Sequence, residues 1–112
     1  MDSDHDAIIQ KLIYYKEQIN EMHHKVTEYL SDRENHLHPF PEDLINEIRS
    51  YETEAHKVLN SEVQLRLDSL MYSLLVHERI WNKLFEDDDM EDRKEELRAL
   101  LNKRKDEPKS KT

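Results

Sequence analysis

The 112 residues include no glycine and no cysteine, and only three prolines, two phenylalanines and one tryptophan. Each shortage excludes something. Without cysteine there is no disulfide framework, no thiolate zinc site and no thiol nucleophile. Without glycine there is no phosphate-cradling loop, no dinucleotide fingerprint, no glycine-bearing calcium loop and no glycine elbow for a serine nucleophile. The same absence weighs against a sheet, because tight turns between strands need residues at positive φ, which glycine supplies most readily. Positive charge is also scarce: 17 Lys and Arg stand against 26 Asp and Glu, for a formal charge of −9. Phosphate backbones are gripped by clustered Lys and Arg, so a nucleic-acid partner is not expected. No apolar run approaches the roughly 20 residues a membrane helix needs, and the start "MDSDHDAIIQ" has acids where a secretory leader has bases. The expectation is a cytoplasmic chain that does not engage a membrane.

What the chain does have is charge and helical spacing. Charged residues make up 38% and apolar residues 36%, a mix that suits long helices with solvated outer faces. The length fits one domain, expected over 1–105, with 106–112 as a disordered tail. Ile8, Leu12, Tyr15, Ile19, Met22, Val26 and Tyr29 recur at alternating steps of four and three, the seam of a coiled coil or elongated bundle. Ser3 and Asp6 resemble a first-turn cap, and this helix is expected over 4–34. It must end before Pro39, which disfavours helical backbone at His38.

The stretch "ENHLHPFPEDL" then reads as a joint. Pro41 suits the first position of a new helix, Glu42 and Asp43 favour its positive end, and Phe40 is expected to pack back on Leu44 or Ile45 as a staple. Leu44, Ile48, Tyr51, Ala55 and Val58 or Leu59 give a thinner stripe for a second helix over 42–60. "NSEVQ" offers Ser61 and Gln64 in capping-box spacing, predicting a break near Asn60 and Ser61, with one continuous helix as the alternative. Val63, Leu67, Leu70, Leu74, His77, Trp81 and Leu84 repeat the heptad signal over 61–86. The run "EDDDMED" is expected to interrupt it before a short, mostly polar helix over 90–105. The fold class is therefore all-α: an elongated antiparallel helical bundle, coiled-coil-like, of three main helices plus a short C-terminal one.

Chemical motifs must stand out against that background. A helix offers two ligands to one ion at spacings of three or four, and neither His23 with His24 nor His36 with His38 has that separation, so no metal is expected. His77 lies on the seam between Leu74 and Trp81 and reads as a partly buried histidine bonded to a neighbour. Carboxylates are dispersed over solvated faces with no pair set among apolar residues, so no catalytic residue is expected, and no cofactor.

Three resemblances deserve naming. Small helical ribonucleases of the HEPN type have an Arg and a following His with four to six residues between them, similar to Arg33 with His38 and Arg49 with His56. "EAHKVLNSEVQLRLDSL" resembles the surroundings of the active histidine in histidine phosphotransfer domains, which would give His56 that role, although Leu59 and Asn60 stand in the Lys and Gly positions. The same segment resembles the third helix of J-domain co-chaperones, with His38 and Pro39 where that family's His-Pro-Asp loop falls. Phe40 replaces the Asp that contacts the chaperone, so this resemblance implies a degenerate co-chaperone.

The strongest functional clue is a surplus of apolar residues. At about 100° per residue, Leu67, Leu70, Leu74 and Trp81 face one way along the third helix, while Leu65, Tyr72 and Val76 face the other, with Ile80 near their edge. One stripe fills a core. The other is expected to bind a second protein chain, with a homodimer as the leading arrangement, in a non-enzymatic regulator or adaptor.

Overall fold

The computed structural model describes the backbone of residues 2–106 and the side chains of residues 5–102. Every regular element among them is helical: α1 (Asp2–Ser31), a single 3₁₀ turn (Arg33–Asn35), α2 (Pro41–Ala55) and α3 (Ser61–Asp106). No described residue adopts a positive φ. A chain without glycine thus turns both of its corners with ordinary backbone, and side chains close them.

At the first corner α1 stops at Ser31, earlier than the expected 34. Asp32 leaves helical geometry at φ −153° and ψ 81°, and the Asn35 amide donates to its carboxylate at 2.7 Å, locking the 3₁₀ turn. His36 is already extended, as befits the approach to Pro39. Pro41 takes the first position of α2, with Glu42 and Asp43 in the first turn. The staple is not formed as expected. Phe40 itself occupies the cap position, and it is 62% exposed with its ring 5.1 Å from that of His38. In a staple the apolar residue precedes the cap, a place held here by Pro39.

The second corner resolves the choice between a break and a continuous helix in favour of a break. Helix α2 ends at Ala55, ahead of the expected 60, because its last carbonyls find a partner outside the helix. Gln64 of α3 reaches back and donates to the carbonyls of Ala55 at 3.2 Å and Val58 at 2.7 Å. The cap of α3 falls one residue before the expected Ser61: Asn60 Oδ1 accepts from the Val63 N–H at 3.1 Å, and the Asn60 amide lies 3.3 Å from His5 Nδ1 of α1. Gln64 does for the end of α2 what a C-cap glycine often does, and Asn60 caps the start of α3.

By density of contacts the chain divides into residues 1–81 and 82–112. The first unit is an elongated antiparallel bundle in which α1 runs up, α2 down and α3 up. Tyr15 meets Tyr51 and Tyr29 meets His38, so α2 and its approach descend as α1 rises. Lys16 bonds to Ser69 and His23 to Trp81, so α1 and α3 run parallel. With 30 residues, α1 spans about 45 Å. Leu12, Tyr15, Ile19 and Val26 of α1, Leu44, Ile45, Ile48 and Ala55 of α2, and Val63, Leu67, Leu70, Leu74 and Trp81 of α3 are buried. Ile8, Met22 and Tyr29, also read as seam, are half-buried.

The described part of the second unit, residues 82–106, is the rest of α3. The expected interruption and separate helix over 90–105 do not occur: helix α3 runs unbroken through "EDDDMED". No proline or glycine lies between 61 and 106, and Asp costs a helix interior only about 0.7 kcal/mol or less. Lys83 with Asp87 at 3.4 Å and Glu91 with Lys94 at 3.7 Å offset part of the acid repulsion. The helix also includes Asp106, assigned in sequence to the tail; residues 107–112 and the Ser3 cap lie outside what is described.

Candidate interaction face and the histidines of the seam

Helix α3 presents two apolar stripes with opposite fates. Val63, Leu67, Leu70, Leu74 and Trp81 are between 0% and 2% exposed, whereas Leu65 is 71% and Tyr72 70% exposed. Ile80 is 38% exposed, and Val76 is half-buried at the margin of the stripe. Leu75, not singled out in the sequence, adds a further 46% exposed side chain beside Tyr72. The edges of the face are polar. Lys16 of α1 donates to Ser69 Oγ at 3.0 Å along one border, and Arg49 of α2 pairs with Glu78 at 2.6 Å along the other. Neither α1 nor α2 lies over Leu65 or Tyr72, and packing alone decides which of two similar stripes becomes core.

Behind this face, the α1–α3 seam holds a contact that sequence reading missed. Trp81 Nε1 donates to His23 Nδ1 at 3.2 Å. The His77 ring lies 5.5 Å from that of His23 in an edge-on arrangement, and 5.7 Å from that of Trp81. His77 Nδ1 is 2.7 Å from the Ser73 carbonyl, so His77 is, as expected, a partly buried histidine bonded to a neighbour. Burial holds His23 below the ordinary histidine pKa, and the His77 and His24 charges push it further the same way. As acceptor from the indole, His23 keeps its neutral hydrogen on Nε2, a tautomer that leaves no lone pair there for a metal. The missed signal was available: a lone tryptophan on a seam needs an acceptor for its N–H, and His23 is next to the seam residue Met22.

The joint between α1 and α2 frames a shallow cleft of about 390 Å³ against α1, lined by residues that include Met22, Lys25, His36, His38 and Phe40. Leu37 on its rim is 93% exposed. His38 stacks edge-on against Tyr29 at 4.8 Å, which gives this histidine a packing role. His56 is exposed and follows the last residue of α2 as its C-cap, in αR geometry. Arg49, matched with it in the ribonuclease resemblance, is engaged by Glu78. Asp88, Asp89 and Asp92 bring carboxylates within 4.8 Å of one another on a single helix, a grouping common on acidic helices without an ion.

Tyrosine chemistry is confined to the bundle. Burial raises the Tyr15 pKa, and the neighbouring Glu47 carboxylate, which accepts from its hydroxyl, raises it further. Tyr51 is raised by burial and then by Glu54. Both phenols stay protonated and serve as packing groups with a polar tip. No described helix is long and apolar enough to cross a membrane. No protein-family model, no curated protein and no solved structure matches the chain.

Proposed function

We propose that the chain is a non-enzymatic protein-interaction module of the cytoplasm that pairs with a second copy of itself through the outer face of α3. The observation behind this reading is the exposure of Leu65 and Tyr72 on a helix whose opposite stripe is sealed. Contiguous exposed apolar side chains rimmed by polar ones mark association surfaces. Charge favours a like partner. The chain as a whole is strongly acidic, yet between Leu65 and Ile80 the outward residues Asp68 and Arg79 balance, with the acid toward the start of the face and the base toward its end. A two-fold axis near Tyr72 sets Leu65 beside the partner's Ile80 and brings Asp68 toward the partner's Arg79.

The magnitudes suit a reversible dimer. Full burial of such side chains is worth about 1.5–3 kcal/mol each, and these are partly covered already, so roughly half that remains. Six of them across a symmetric contact supply on the order of 6 kcal/mol, comparable with the low end of the cost of association at about 4 kcal/mol. Sedimentation equilibrium over a range of concentrations tests the reading, with Tyr72→Glu, Val76→Glu as the variant and helicity followed in both. The expected result is a wild type that associates as concentration rises and a variant that stays monomeric and helical. A wild type that remains monomeric throughout overturns self-association, and a stable complex with one purified heterologous protein through the same residues replaces it with an adaptor reading.

A further inference from the structure

Trp81 is the one tryptophan of the chain, and it is 2% exposed. A buried indole N–H left without an acceptor costs about 1–3 kcal/mol. Its acceptor is a titratable nitrogen, His23 Nδ1. An imidazole nitrogen accepts only while it holds no proton, whereas both ring nitrogens of the charged form are donors. The neighbouring His77 is built the other way: its Nδ1 faces a carbonyl oxygen, which can only accept, so that bond persists in either charge state. Of two adjacent histidines, one keeps its hydrogen bond on protonation and the other must lose it.

We propose that the His23–Trp81 contact is a proton-operated latch on the α1–α3 seam, closed while His23 is neutral and released when a proton occupies its Nδ1. Release turns two N–H donors toward each other at a buried position, which drives the indole and the imidazole apart. The charges acting on His23 come from His77 of α3 and His24 of its own helix; the nearest charged group that α2 brings to this stretch of α3, Arg49, is paired with Glu78. All the histidine influences oppose a further positive charge. Because burial and these neighbours lower the folded value, the unfolded chain takes up the proton first as pH falls. The stability the neutral ring contributes is therefore whole above the ordinary value of about 6.5 and is lost as pH drops through the lower folded value. The latch is independent of the outer-face reading, since Trp81 belongs to the inner stripe.

A single tryptophan makes the experiment direct: fluorescence of the full chain from about pH 8 to about pH 5, with helicity followed by circular dichroism. The expected result is a flat emission above the ordinary histidine range, then one step below it in which the spectrum shifts to the red and loses intensity while helicity persists. His23→Gln, whose amide oxygen accepts from the indole at any of these pH values, abolishes the step. His77→Gln removes a neighbouring charge and moves the step to higher pH. A flat wild-type profile, or a His23→Gln variant that titrates like the wild type, overturns the latch. Should that variant fail to fold, nitrogen NMR of the wild-type His23 ring at neutral pH decides the matter alone: a hydrogen on Nε2 supports the latch and a hydrogen on Nδ1 contradicts it.

Discussion

The two stripes of α3 are built from similar residues and end in opposite places. Leu67 and Leu70 are 2% and 1% exposed, while Leu65, on the same turns of the same helix, is 71% exposed. Hydrophobicity does not separate them; the neighbours do. Two helices of the first unit cover one side of α3 and stop at Lys16 and Arg49, so what the molecule buries is set by how many helices it has to spend. The excess is what a second chain can use.

The sharpest way to break this contrast is to shorten one leucine on each side. Leu70→Ala is expected to lower the free energy of unfolding by about 2–5 kcal/mol, read from urea denaturation. Leu65→Ala at a concentration where the chain is monomeric is expected to change it by about 0.5 kcal/mol or less. Equal losses would mean that both stripes are core. Next in size is the cap that starts α3. Asn60→Ala removes the cap of α3 and its link to His5, at about 1 kcal/mol in thermal melts, while Ser61→Ala is expected to be near neutral. A reversal of that order would restore the cap to Ser61. Smaller still is the border: Arg49→Ala, opening the half-exposed pair with Glu78, should cost about 0.2–1 kcal/mol, a loss that shrinks in high salt. A salt-independent loss would show that Arg49 acts through its stem and packs as part of the core.

Much of this was legible in the sequence, for reasons that show where legibility ends. Heptad spacing exposed all three helices because burial on one side imposes a period, and Leu12, Ile19, Leu67 and Leu74 obey it. The joint at Pro39 and Pro41 was legible because proline constrains backbone directly. Helix ends were misread by several residues wherever a side chain distant in sequence supplies the cap. Gln64 ends α2 from the following helix, and no local pattern announces that. The acidic run was overvalued as a breaker, since Asp weakens a helix by a few tenths of a kcal/mol and only proline or glycine weakens it more. The outward face of α3 was visible from angle alone, and so was the need of the Trp81 indole for an acceptor, but choosing His23 as that acceptor needs the register between α1 and α3.

The central claim is that the outer face of α3 meets its own copy, and a cysteine-free chain allows a direct measurement. One thiol at Tyr72→Cys, next to the proposed two-fold axis, and one at the exposed control Ser50→Cys of α2 give two single-cysteine variants. Mild oxidation at a concentration where the wild type associates is expected to join Tyr72→Cys chains into disulfide-linked dimers, since the two thiols face each other across the axis, with Ser50→Cys chains remaining single, and adding Leu65→Glu should abolish the linkage. Equal linkage at the two positions, or none at Tyr72→Cys under associating conditions, would contradict the account.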